Sequence, residues 1–250
     1  MTIKFMEQTK KFPSEIIDLP TKGLLYPKDS PLSSGKIEMK YMTAKEEDIL
    51  TNQNYISRGI VIDKLIQALI VDKSIDYSQL LSGDKNALLV AARILGYGEI
   101  YDFTYGGEKI NIDLSKLDAK PLNEDLFKDG VNEFEYTLPT TKRVLKFKFL
   151  THKDERDIEQ EVKGLQKLNK DSNPELSTRL KYIIQAVDGV TDKGGIRSFV
   201  DNEFLARDAR SFRNYYASIQ PDIDLTFYPE GGPEEGVEIP IGVTFLWPDA

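Results

Sequence analysis

Lys40-Tyr41-Met42-Thr43-Ala44-Lys45-Glu46-Glu47-Asp48-Ile49 and Lys148-Phe149-Leu150-Thr151-His152-Lys153-Asp154-Glu155-Arg156-Asp157-Ile158 decide how this chain is read. Each joins the end of a strand-like segment to the start of a helix. Upstream of the first, Ile37, Met39 and Tyr41 alternate with Glu38 and Lys40. Upstream of the second, Leu145, Phe147 and Phe149 alternate with Lys146 and Lys148. Strict alternation marks a half-buried strand. Thr43 with Glu46 forms a capping box, the hydroxyl accepting from the third helical N–H while the carboxylate reaches back. Thr151 caps the second helix, with Asp154 and Glu155 in its first turn, where acids favour the helix dipole.

Other words recur around these two in the same order. Leu19-Pro20-Thr21 returns as Leu138-Pro139-Thr140, and Leu65-Ile66-Gln67-Ala68 as Ile183-Ile184-Gln185-Ala186. Asp84 and Asp208 each open a helical segment. Asp102-Phe103-Thr104-Tyr105 returns as Asp224-Leu225-Thr226-Phe227, each before a Gly-Gly turn. The matched words stand 108 to 124 positions apart. Five such pairs in register predict an internal duplication. The expected fold is α+β: two similar lobes, each with a strand pair, about three helices and a closing β-hairpin. Residues 1–15 read as a flexible N-terminal arm, 16–130 as the first lobe and 131–250 as the second. The polar stretch 115–132, with Pro121 and Gly130, reads as the linker.

Within that frame, 60–71 and 84–95 read as buried helices, and 99–105 with 109–114 as a hairpin around Gly106-Gly107. Asn173-Pro174 starts a helix running to about Val187. Residues 199–219 read as mostly helix and 223–228 as a strand. The alternation of Val237, Ile239, Ile241, Val243, Phe245 and Trp247 predicts one long closing strand.

Composition excludes several classes of chemistry. The chain has 250 residues, no Cys, one His and one Trp. Disulfides, Cys-ligated zinc and iron–sulfur clusters are excluded. With 33 Lys and Arg against 41 Asp and Glu, the net charge is −8, opposed to the positive field of a nucleic-acid binder. No run is long and apolar enough to span a bilayer or to form a signal peptide, so a cytosolic protein is expected.

No stretch assembles an active site. His152 lies one residue into a capped helix among charges and reads as solvated surface. Gly-x-Ser-x-Gly and phosphate-loop motifs are absent, and Gly96-Tyr97-Gly98 follows a helix rather than a strand. Asp222 and Asp224 are spaced like a calcium loop, but Phe227 and Pro233 occupy its obligatory positions. Arg207, Arg210 and Arg213 form a helix stripe that Asp201, Glu203 and Asp208 would balance. A hydrolase built on Asp154, Glu155 and Asp48 is the remaining enzymatic alternative.

One resemblance joins several of these segments. Ile17-Asp18-Leu19-Pro20-Thr21-Lys22-Gly23-Leu24-Leu25-Tyr26-Pro27 resembles the opening of T4-type bacteriophage baseplate hub proteins. Asp84-Lys85-Asn86-Ala87-Leu88-Leu89, followed by Arg93-Ile94-Leu95-Gly96-Tyr97-Gly98, is similar to that family's second signature. Pro240 to Pro248, containing Trp247, resembles its closing aromatic strand. The implied signature positions are Leu19, Pro20, Gly23, Tyr26, Pro27, Asp84, Arg93, Gly96, Tyr97, Gly98, Trp247 and Pro248. Some relatives carry Cys pairs before that strand; here Gly231-Gly232 stands instead, so no zinc is carried over. The resemblance implies a non-enzymatic tail component or assembly factor without metal, cofactor or catalytic residues. Its partners would be other tail or baseplate hub proteins, or the tape-measure protein, within a symmetric baseplate. It would act without nucleic acid or membrane, in the host cytoplasm during assembly and then in the virion tail. A transient chaperone for the tape-measure protein, absent from the virion, is the alternative within the family.

Overall fold

The computed structural model describes residues 13–170, 173–229, 232–234, 236–241 and 243–246. It is a mixed α+β molecule with small antiparallel sheets. In the N-terminal half, β1 (Ser14–Asp18) pairs antiparallel with β2 (Lys36–Lys40). The arm expected over 1–15 therefore stops short of Ser14, and residues 1–12 lie outside those described. Alternation on β2 buries Ile37 and Met39. Helix α1 (Ala44–Leu50) begins at the Thr43–Glu46 capping box, and α2 (Gln53–Ser57) follows. Helix α3 (Val61–Leu69) buries Leu65, Ile66 and Leu69. Its exit lies beside β2, with Ile70 bridged to Met39 and Val71 N–H donating to the Glu38 carbonyl.

Helix α4 (Ser82–Tyr97) is the most buried helix of this half and ends at Gly98, whose φ of 84° suits glycine. Strands β3 (Ile100–Tyr105) and β4 (Glu108–Asp113) form the expected hairpin.

The C-terminal half also opens on strands, continues through helices and ends on a strand pair, with one further strand between its helices. Strands β5 (Phe134–Thr137), β6 (Val144–Phe147) and β7 (Ile184–Val187) make one antiparallel sheet, and α5 (His152–Leu168) lies between β6 and α6 (Glu175–Ile183). The helix expected to reach Val187 ends at Ile183 instead. Ile184-Gln185-Ala186-Val187 alternates and adds to the open edge of β6, so tertiary pairing overrides helical continuation. Next come α7 (Lys193–Ser198), one π-helical turn over Phe199–Glu203, and α8 (Ala206–Ile219).

The closing strand is much shorter than its alternation predicts. Among the described residues of this segment only β8 (Thr226–Phe227) and β9 (Val237–Glu238) pair as strands. Pro240 carries no N–H for a ladder, and Val243–Leu246 turns into a 3-10 helix. Phe245 is nonetheless buried, while Trp247 and Pro248 lie outside the described residues.

One apolar core runs through both halves. Leu145, Phe147 and Phe149 are buried as their alternation requires, and Phe147 stacks edge-on against Phe212 at 5.2 Å. The β3–β4 hairpin meets β8 and the 3-10 turn over Val243–Leu246 through aromatic edges, Phe103 on Phe227 at 5.1 Å and Tyr101 on Phe245 at 4.8 Å. Residues 115–132 are a strap rather than a free linker. Lys120 N–H donates to Asp222, Asp224 N–H to Asp118, and Gly130 N–H to Leu24. Both halves thus share its backbone bonds.

Candidate functional site

The first turn of α4 gathers long-range partners from both halves. It starts at Leu81, whose extended backbone (ψ 150°) bridges to Thr151 of the C-terminal half. Ser82 N–H donates to the Leu150 carbonyl, and Ser82 Oγ reaches Glu155 Oε1 at 3.1 Å. Gly83 lies against the 221–222 backbone, where a Cβ would stand 1.9 Å from the Pro221 carbonyl oxygen. Asn86 donates to Asp222 at 3.0 Å.

Between them, Asp84 turns back into its own half and is fully buried. It accepts from Thr21 N–H at 3.0 Å, Thr21 Oγ1 at 2.8 Å and Tyr26 O–H at 2.5 Å. Tyr26 in turn accepts from Leu81 N–H at 2.9 Å. The loop needed for this return passes Gly23 at φ 80°, where a Cβ would meet the Ser33 carbonyl at 2.4 Å. Among the described residues no cation pairs with Asp84. Burial pushes its carboxyl up, the Tyr26 and Thr21 bonds offset only part of that, and it reaches about 6.

A second clasp of the same kind stands in the C-terminal half. Asp208, in the first turn of α8, accepts from Thr140 N–H at 2.8 Å, Thr141 N–H at 3.0 Å and Thr141 Oγ1 at 2.8 Å. Burial pushes this carboxyl up too, but the threonine bonds outweigh it and bring it to about 2. Lys22 and Lys142, each following the clasping threonine, share a positive φ of 52° and 60°.

The signature residues of the two N-terminal words therefore meet. Leu19, Pro20, Gly23, Tyr26 and Asp84 close one buried knot, with Pro27 exposed at its edge. Arg93 ties off the other end of α4, donating to the Gly98 and Ile100 carbonyls at 3.0 Å each, between the Tyr97 and Tyr101 rings. Gly96 gives room to Met42, whose Cε would lie 2.8 Å from a Cβ there.

His152 corrects the surface reading. It is 8% exposed, in the seam between the halves. Its N–H donates to the Leu80 carbonyl at 2.7 Å, and its ring lies 4.7 Å from that of Tyr77. Nε2 stands 3.4 Å from Asp63 and Nδ1 3.3 Å from Lys85 Nζ. Burial, with the Lys85 charge, lowers its pKa, so the folded state holds it neutral near pH 7. Asp63 also takes Lys85 at 2.8 Å and Tyr77 O–H at 3.1 Å. Composition alone did not flag Asp63, Tyr77 and Lys85. The available signal was an acid between Val61-Ile62 and Leu65-Ile66 on an apolar helix face.

The carboxylates of the hydrolase alternative are otherwise engaged. Asp154 completes the α5 capping box and pairs with Lys148 at 2.7 Å. Glu155 grips Arg179 through bonds of 2.6 and 2.8 Å. Asp48 is exposed on α1. The acids expected to balance the arginine stripe also serve elsewhere: Asp201 pairs with Lys181, Glu203 with Arg143, and Asp208 with the threonines. Asp222 and Asp224 accept from Asn86 and Thr226 N–H. Among the described residues no cluster of three or more acid or imidazole groups could hold a metal, and no helix is long and apolar enough to cross a membrane.

The chain matches no protein-family model, no curated protein and no solved structure.

Proposed function

We propose that this chain is a non-enzymatic component of a contractile phage tail, a baseplate hub subunit or hub assembly protein working through protein–protein contacts. The observation that carries this reading is the convergence of the signature words. Residues quoted for the resemblance from two stretches some sixty positions apart close on one another as Thr21, Tyr26 and Asp84. The acids and bases of the seam are paired with each other, which favours a structural role for them over chemistry.

The same reading takes the two halves as copies of one ancestral α+β unit. Two equivalences support it, while the match of Leu65–Ala68 with Ile183–Ala186 does not: the first word lies within helix α3, and the second passes from the end of α6 into strand β7. Lys40, Thr43 and Glu46 bond as Lys148, Thr151 and Asp154 do. The Thr21–Asp84 clasp has its counterpart in Thr141–Asp208.

The test is quantitative peptide mass spectrometry on purified tails beside the infected-cell lysate. A stoichiometric amount in tails makes the chain a resident subunit. Presence only in complexes with unassembled tail proteins makes it an assembly factor. Absence from tails and from every tail intermediate overturns the proposal.

A further inference from the structure

A groove of about 690 Å³ runs between α3 and α4 on one side and α5 and α6 on the other. One wall is a continuous stripe of α5: Glu155, Ile158, Glu159, Val162, Lys163 and Gln166, spaced by three and four. At about 1.5 Å per residue that stripe is roughly 16 Å long, three helical turns. The apolar lining comes from both halves: Ile62 and Leu89, then Ile158, Val162, Leu225 and Ile241.

Its lining carries five acids, Asp63, Glu155, Glu159, Glu175 and Glu238, against four bases, Lys85, Arg156, Lys163 and Arg179. Lys163 is paired with Glu159, Arg179 with Glu155, and Lys85 with Asp63, while Arg156 stands 3.8 Å from Glu159 and 4.0 Å from Asp63. Glu175 and Glu238, both exposed on the lining, stand in no ion pair among the described residues. An apolar trough with one surplus negative charge and two carboxylates outside any ion pair, in a chain of net charge −8, is complementary to one kind of helix.

We propose that this groove docks an amphipathic helical segment of a partner protein, its Leu/Ile/Val stripe on the floor and its Lys/Arg flanks against Glu175 and Glu238. The proposal rests on the reading of the chain as one that works through protein–protein contacts, and it names the chemistry of the contact.

The experiment uses the full chain and three fluorescein-labelled helical peptides of about four turns. The first has Leu at i, i+3, i+4 and i+7 with Lys flanks; the second has the same apolar stripe with Glu flanks; the third keeps the first composition in scrambled order. Fluorescence anisotropy should show the first binding at least tenfold tighter than either other. Hydrogen exchange should slow along the 155–166 stripe. The surface double variant E175K/E238K, which leaves the core untouched, should reverse the preference between Lys and Glu flanks. V162E should abolish binding by both.

Failure of the first peptide to bind, equal binding of the scrambled peptide, or no response to E175K/E238K would each overturn the proposal. Self-association of the unlabelled chain that the double variant abolishes would assign the groove to a second copy, and would equally overturn it. None of these outcomes alters the mass-spectrometric count in tails, so the two readings fail separately.

Discussion

Replacing Asp84 with Asn should change the pH dependence of stability in a way that can be worked out from its surroundings. The buried carboxyl sits at about 6 in the folded chain, against an ordinary value of 3.8. A group raised on folding contributes its full stability below the unfolded value and loses it as pH rises through the folded one. The loss therefore falls between about pH 4 and 7. Two units correspond to roughly 3 kcal/mol. Asp84→Asn removes the charge, so the variant escapes that loss. It also spoils part of the clasp, since one carboxylate acceptor becomes an amide donor facing Tyr26 and Thr21, at about 1–3 kcal/mol independent of pH. The quantity to measure is thus a slope. Urea midpoints of wild type and variant, followed by far-ultraviolet circular dichroism from pH 4 to 8, should diverge in the variant's favour by roughly 3 kcal/mol. Parallel curves across that range would refute the account of Asp84 as a buried, uncompensated acid.

The same substitution in the other clasp should act with opposite sign. Asp208 lies at about 2, so its contribution is present above the unfolded value and fades as pH falls through the folded one. Asp208→Asn should therefore be most damaging at neutral pH and least near pH 2 in the same assay extended down to that pH. Gly83→Ala should destabilise by about 1–3 kcal/mol, since its Cβ would collide with the Pro221 carbonyl; for a chain of this length that lowers Tm by roughly 2–12 °C by calorimetry. His152 is held neutral when folded, so protonation works against the seam as pH falls below its ordinary value of 6.5. His152→Gln should flatten the stability curve between pH 7 and 5; an unchanged slope would place the acid sensitivity elsewhere.

How much of this was readable beforehand differs from element to element. Local chemistry was: both Thr caps, the β2 and β6 alternation and the Gly106-Gly107 hairpin depend on neighbours within a few positions. Ile184–Val187 was not, because its choice of strand over helix depends on an open edge of β6 some forty residues earlier in the chain. The long strand ending at Trp247 failed for a related reason. Alternation describes a face, and Ile239 and Phe245 are indeed buried, but a ladder also needs donors that Pro240 lacks. His152 was misplaced because its own neighbours in sequence are charged, whereas what covers it comes from Tyr77 and Lys85. Asp84 and Tyr26 were quoted as signature residues, but nothing in their spacing announces that they bond.

The six residues from Leu81 to Asn86 have a consequence for synthesis. When this turn leaves the ribosome, its clasp partners Thr21 and Tyr26 are already made, so every partner that Asp84 needs is at hand. The partners of its neighbours, Leu150, Thr151, Glu155, Pro221 and Asp222, are some seventy to one hundred and forty residues away and do not yet exist. The N-terminal half is born with the parts of one lock and a row of waiting ones. It is complete only when nearly the whole chain has been translated, so a truncated product would present this turn, unmet, to whatever meets it first.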